Sequence, residues 1–388
     1  MDTKNVLKNQ AKDKIMSSKV VRAIVVVIAL ATYVIVLAQL NKVEKTEMVS
    51  TKGYSYERAE VTQIITDNLQ DNGTRAGYQY IKVRMLSGSS KGQEFDATSS
   101  EGNLFGAVCS VGDKVIVTIS TSGSTNTISV YSQDRIMCVI IFVAIFLLLI
   151  CAIGGKNGVK SVVGLIFTFV SIIYMYMPMV YMGVSPFLTA VIVAVLATVA
   201  TMYLIGGISV KTVSSIAGTT LGVLIAGFSA WMFGYFADID GYNVSNIETL
   251  VFVGQNTKIQ IGGLLFSGIL IASLGAVMDV AMSVSSAINE IDDKTSGLTW
   301  QELFKSGLNV GRDMMGTMSN TLILAFAGGS LSTLVVDYAY NLPLMQLINS
   351  YSIGIEIMQG VAGSIGVILT VPCVALITSV LLVKKRTI

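Results

Sequence analysis

"SLGAVMDVAMSVSSAINEI", residues 273–291, decides how this chain is read. It continues an apolar run that begins near Ile259, so it belongs to a helix of membrane-spanning length. Yet it carries Asp279, Ser283, Ser286, Asn289 and Glu290. At helical spacing Gly268, Ala272, Gly275, Asp279, Ser283, Ser286 and Glu290 share one face, in steps of three and four. One half of that stripe is small, which lets a neighbouring helix approach closely. The other half is polar and acidic. An ionised Asp facing lipid costs about 3 kcal/mol on insertion scales. Asp279 is therefore expected to face protein or a water-filled cavity.

The composition agrees with a membrane protein. The chain has 388 residues, 53% hydrophobic and 13% charged, with a mean hydropathy of +0.69. A soluble domain of this size carries about a quarter charged residues. Net charge is +2, too small to point to a nucleic-acid partner. No histidine is present, which removes Ser-His-Asp catalysis, the HExxH zinc site and histidine proton relays. The four cysteines include no CxxC pair, and only Cys109 lies in the hydrophilic segment. "GGKNGVKS" (154–161) lacks the Gly-Lys-Ser/Thr ending of a phosphate loop and reads as a polar turn. No cofactor is implied, and no metal-ligand set can be named.

Eight apolar segments are long enough to span about 30 Å at 1.5 Å per residue. They lie at roughly 20–40, 136–153, 161–182, 186–206, 213–236, 259–281, 315–336 and 358–383. Lysine and arginine set the orientation. Lys4, Lys8, Lys12, Lys14 and Lys19 precede the first span, and Lys384, Lys385 and Arg386 follow the last. Both termini are expected in the cytoplasm of a cell-membrane protein. Residues 1–40 then form a basic tail and uncleaved anchor, 41–135 an extracytoplasmic domain, and 136–388 a seven-helix membrane domain. "YQYIKVRML" (78–86), "DKVIVTIS" (113–120) and "NTISVYS" (126–132) alternate as strands, separated by Gly-Ser and Gly-Asp turns. A small barrel of about five strands, of OB or SH3 type, is the expectation for this segment. No aromatic stacking row or basic stripe is legible along it. The fold class is thus a polytopic α-helical membrane protein, eight transmembrane helices with a small extracytoplasmic β-barrel-like domain between helices 1 and 2.

The segment after the opening stretch offers partners for it. "GLNVGRDMMGTMSNTLILAFAGGS" (307–330) carries Asn309, Asp313, Gly316 and Asn320 along one face, flanked by Arg312 and Thr317. Asn320 is expected at a depth like that of Asp279, and Glu290 near Arg312. Asp279, Ser283, Glu290, Arg312, Asp313, Thr317 and Asn320 are the candidate substrate- or ion-binding residues. The alternative is that they only lock two helices together. Gly328-Gly329-Ser330 and Pro372 are candidate helix breaks of the kind that line transport sites. The Met-rich "YMYMPMVYMG" (174–183) reads as packing at a membrane boundary rather than metal binding.

"SLGAVMDVAMSVSSAINE" (273–290) followed by "GRDMMGTMSNTLILAFAGG" (311–329) resembles the YibE/F family of multi-pass membrane proteins. The resemblance covers roughly residues 130–385, and the anchor with its small domain is similar to YibE-like members. Asp279, Glu290, Arg312, Asp313 and Asn320 fall on the motif positions. Ser273-Leu274 stands where the motif has Gly-Ala. The resemblance names no substrate, and it implies a homo-oligomer, or a hetero-oligomer with a YibF-like protein, in the lipid bilayer. With no nucleotide loop, the expected function is a secondary transporter or permease component and not an enzyme. The rival is an envelope assembly or partner-binding protein acting through its β-domain. An intramembrane enzyme acting on lipids is a weaker third reading.

Overall fold

The computed structural model describes residues 24–50, 52–100, 107–122, 125–244, 247–295 and 297–387. The basic tail and the start of the expected first span, residues 1–23, lie outside them. The chain divides into two compact units, residues 47–152 and residues 1–46 with 153–388.

The smaller unit holds a closed five-stranded barrel. Its strands are β1 (Tyr54–Thr66), β2 (Tyr78–Met85), β3 (Glu94–Ser100), β4 (Lys114–Ser122) and β5 (Thr125–Gln133), in the order β1-β2-β3-β5-β4. This is the OB-type alternative of the two expected, with β3 and β5 paired in parallel. Alternation does the sorting: along β2, Gln79, Ile81, Val83 and Met85 are buried. They meet Ala59, Val61, Val115 and Val117 in a core that the closed sheet seals. Gln79 is tolerated there because its amide is fully engaged. Its Nε2 donates to Asp67 Oδ1 at 2.8 Å, and its Oε1 accepts from Cys109 N–H at 2.9 Å. Arg75 donates to the same Asp67 oxygen at 2.5 Å. Burial pushes the free Cys109 thiol up from its ordinary value. Aromatic side chains lie on the outside of the barrel. Tyr54, Tyr56 and Tyr131 are exposed, and the Tyr56 and Tyr131 rings meet edge-on at 5.4 Å.

The membrane part is helical: α1 (Ile24–Leu40), α2 (Ile136–Ser171), a π-helical segment (Ile172–Tyr176), α3 (Met177–Tyr181), α4 (Pro186–Gly206), α5 (Val210–Phe236), α6 (Ile247–Asn256), α7 (Gly262–Lys294), α8 (Trp300–Gly329), α9 (Leu331–Ala339), α10 (Leu344–Ile348) and α11 (Tyr351–Thr387). Among the described residues, five helical runs are long and apolar enough to cross a membrane, or six if α8 and α9 form one bent span. Two spans were expected within 136–182. The helical stretch Ile136–Tyr181 is two helices joined across a kink. Its break is Gly155 (φ 52°, ψ −132°), a conformation that only glycine adopts without strain. The turn expected in "GGKNGVKS" is this kink, and the residues around it are helical. The second expected breaker behaves differently from the first: α11 continues unbroken through Pro372.

α11 packs against α5, α7 and α8, and α7 also touches α4 and α5. Small residues make these approaches possible, as expected where lipid supplies no hydrophobic drive between helices. Gly218 of α5 lies against Val374, and Gly222 against Thr370 and Val277. A methyl at Gly366 would lie 2.7 Å from Ala226 Cβ and 2.8 Å from the Gly222 carbonyl oxygen. Several buried hydroxyls on these helices bond back to their own backbone. Thr198 donates to the Ala194 carbonyl, Thr370 to Gly366 and Ser379 to Ala375, each at 2.7 Å. These three need no water, whereas the buried Thr219 and Thr378 hydroxyls have no partner among the described residues.

Two measurements check this packing and the barrel. Gly222→Ala should destabilise the detergent-purified protein by roughly 1–3 kcal/mol, whereas Gly275→Ala, with nothing within 4 Å of the new methyl, should leave its melting temperature unchanged. Equal effects would contradict the packing. In the isolated barrel (residues 52–134), Arg75, then Gln79, hold the Asp67 carboxyl below its usual range. Their stabilisation is present above the unfolded-state value and is lost as pH falls through the folded one. Asp67→Asn should flatten the acid limb of the stability curve, read by circular dichroism; an unchanged limb would count against the interaction.

Candidate functional site

The stripe read from the opening sequence lies on one face of α7, but that face turns away from the bundle. Leu270, Val277, Val280, Ala281, Val284 and Ile288 are buried, and Gly268, Ala272, Gly275, Asp279 and Glu290 on the opposite side are exposed. Ser283 and Ser286 are half-buried, and the Ser286 hydroxyl donates to the Met282 carbonyl at 2.6 Å. Asp279 forms no hydrogen bond or ion pair with any described residue.

The polar residues of α8 are placed likewise. Leu303, Gly307, Gly311 and Leu322 are buried, while Asn309, Arg312, Asp313, Gly316, Thr317 and Asn320 are exposed. The expected pairing of Glu290 with Arg312 does not form. Glu290 bonds to Lys294 at 2.8 Å within α7. Arg312 reaches Asn309 Oδ1 at 3.5 Å, and the Thr317 hydroxyl donates to the Asp313 carbonyl at 3.1 Å. Small and apolar contacts explain the difference. Gly307 sits against Ile288 and Gly311 against Val371, so the closely packed faces exclude the polar ones. Counting antiparallel from the Gly307–Ile288 contact, Asp279 is level with Gly316 and Arg312 with Ser283. Asn320 lies one turn beyond the expected depth. The seven candidate residues thus share an outer surface of α7 and α8 and do not converge in a single chain.

A second polar site was not read from the sequence. α8 ends at Ser330, whose N–H and hydroxyl both reach the Phe326 carbonyl, at 3.1 and 3.0 Å. The chain then bends by 58° into α9. This is the Gly-Gly-Ser break, and its buried Ser330 lines a cavity of about 310 Å³. Glu356 and Gln359 of α11 line it too, with Asn243, Thr333 and Ser352. Glu356 is its one carboxylate and lies beside the Ser330 hydroxyl. Ser330 both ends α8 and begins α9, so the negative end of one helix dipole meets the positive end of the next there. One carboxylate, two amides and three hydroxyls form an oxygen-rich set suited to a cation or a small cationic solute. No group of three or more His, Cys, Asp or Glu that could hold a metal ion occurs among the described residues. In the Met-rich stretch, Met175 is buried in the core and Met177 is exposed.

A family model described as YibE/F-like protein matches residues 142–384. The chain belongs to the YibE/F-like family. The match takes in both the outward face of α7 and α8 and the Glu356 cavity of this YibE/F-like protein, and leaves out the barrel. No curated protein and no solved structure matches the chain.

Thermal unfolding in detergent tests the placement of the charged groups. A double-mutant cycle on Glu290→Gln and Arg312→Gln should show coupling within about 0.5 kcal/mol of zero, as for residues that do not meet. The same cycle on Asp292 and Arg386, which are paired in the structure, should show ~1 kcal/mol. Strong coupling in the first cycle would restore the expected Glu290–Arg312 contact.

Proposed function

We propose that this YibE/F-like protein is a secondary transporter or permease component that moves a cation or small cationic solute. The observation that carries this reading is the polar cavity around Glu356 at the α8–α9 bend. Bent spans free backbone carbonyls only where they line a cavity or face protein, and such breaks mark solute sites in transport folds. The reading includes the eight-span topology set by the lysines and arginines, with both termini in the cytoplasm, residues 41–135 outside, and Gly155 as the turning point within Ile136–Tyr181. It also assigns a role to the outward α7–α8 face. A second copy, or a YibF-like chain, covers Asp279 and its neighbours, so that the polar cluster is completed between chains rather than within one.

Uptake of ions and metabolites into vesicles with and without the protein tests the proposal. Uptake of a cationic species should depend on the protein and fall at least tenfold with Glu356→Gln, with partial retention in Glu356→Asp. Asp279→Asn should reduce uptake while membrane levels stay normal. Protein-dependent uptake that is unaffected by Glu356→Gln would remove the cavity from the mechanism. A second reading, partner binding through the barrel, is favoured by the exposed Tyr54, Tyr56 and Tyr131. Tyr56→Ser with Tyr131→Ser should leave uptake unchanged if transport is the function, and abolish the biological role if partner binding is.

A further inference from the structure

A larger cavity lies elsewhere in the helical unit. It encloses about 580 Å³ between the end of α1, the π-helical segment with α3, α6 and the start of α7. That is the size range of small-molecule sites. Its wall is apolar: Leu40, Val43, Ile173, Leu250, Val253 and Leu264 line it. α6 buries no residue of its own, and Leu250 and Val253 face this space. The π-helical turn, in which the Met177 N–H bonds back to the Ile172 carbonyl, widens the opposite wall. Such turns recur at functional sites.

The polar groups of the lining are mostly spent on one another. Asn41 Nδ2 donates to the Leu37 and Tyr174 carbonyls, both at 2.8 Å. The Tyr181 hydroxyl accepts from Thr46 N–H at 2.7 Å. The Tyr176 and Ser267 hydroxyls bond at 2.5 Å. What remains is the Lys45 ammonium, which is exposed and forms no ion pair with a described carboxylate, together with the Tyr174 hydroxyl and the Asn41 Oδ1 beside it. A polar solute would find no partners along the walls. An apolar chain ending in one anionic group fits both the walls and the rim.

We infer that this cavity binds an acyl chain of an anionic phospholipid, with Lys45 and the Tyr174 hydroxyl at its mouth meeting the headgroup phosphate. The site is separate from the Glu356 cavity and independent of the transport reading.

The full chain, purified in detergent and stripped of lipid, is melted with phosphatidylglycerol, phosphatidylcholine or glycerol phosphate, and retained lipid is counted by native mass spectrometry. Phosphatidylglycerol should raise the melting temperature by several degrees with one lipid retained, phosphatidylcholine should raise it less, and glycerol phosphate should not raise it. Val253→Trp, which fills the cavity, should fold and abolish the lipid-dependent shift. Leu250→Phe is the milder filling variant and should halve the shift or better if the tryptophan prevents folding. Lys45→Glu should erase the difference between the two phospholipids. No shift with phosphatidylglycerol, an equal shift in the filled variants, or a shift with glycerol phosphate alone would each overturn the inference.

Discussion

A bilayer offers no hydrogen bonds to a polar group, and the architecture of the helical unit follows from that constraint. Its backbone closes on itself in helices, and several of its buried hydroxyls return to carbonyls one turn back, as Thr198, Thr370 and Ser379 do. Close helix contact then depends on small residues such as Gly218, Gly222 and Gly366. With α5, α7 and α11 packed this tightly, the interior has no room for a charged cluster. The constraint is relaxed where α8 gives way to α9 at Ser330, and there the wall carries Glu356, Gln359 and Asn243. The same rule makes the outward Asp279 informative. A carboxylate on a membrane helix that bonds to no described group of its own chain calls for cover from another one, which is why the proposed function includes an assembled form.

Much of the fold was legible because it rests on periodicity and length. β2, β4 and β5 announced themselves by strict alternation. β1 did not, because Glu57, Arg58 and Glu60 crowd its centre and two register shifts interrupt its pairing with β2. β3 is short, and its outward positions are polar. Hydropathy located the apolar segments, and the polar "GGKNGVKS" marked the break that Gly155 makes between two of them. α8 begins fifteen residues before the expected 315. Its first half is amphipathic, packing on α7 and α11 through Leu303, Gly307 and Gly311, and average hydropathy dilutes such a pattern.

The candidate site was legible only in part, for a physical reason. Helical spacing fixes that Gly268, Gly275 and Asp279 share a face, but not which way the face points. In water the polar side of a helix is the outer one; in lipid a small and polar stripe is expected to face protein, and that protein can be a second chain. Glu356 escaped notice because "GIEIMQG" (354–360) reads as the edge of a span. Its meaning comes from Ser330 and Asn243, which one sequence without contacts cannot bring beside it. The Gly328-Gly329-Ser330 break was the usable signal, and it pointed to a site without naming the helix opposite.

Water access to the Glu356 cavity tests the central claim most directly. In a chain whose four native cysteines are replaced by serine, Gln359→Cys is exposed in sealed vesicles to a membrane-impermeant maleimide, with Asn72→Cys on the barrel as the accessible reference. The account predicts labelling of Gln359→Cys from one side of the membrane only, slowed by the transported cation, with that protection lost when Glu356→Gln is added. Labelling at Asn72→Cys with none at Gln359→Cys from either side would show a dry, closed pocket and contradict the account.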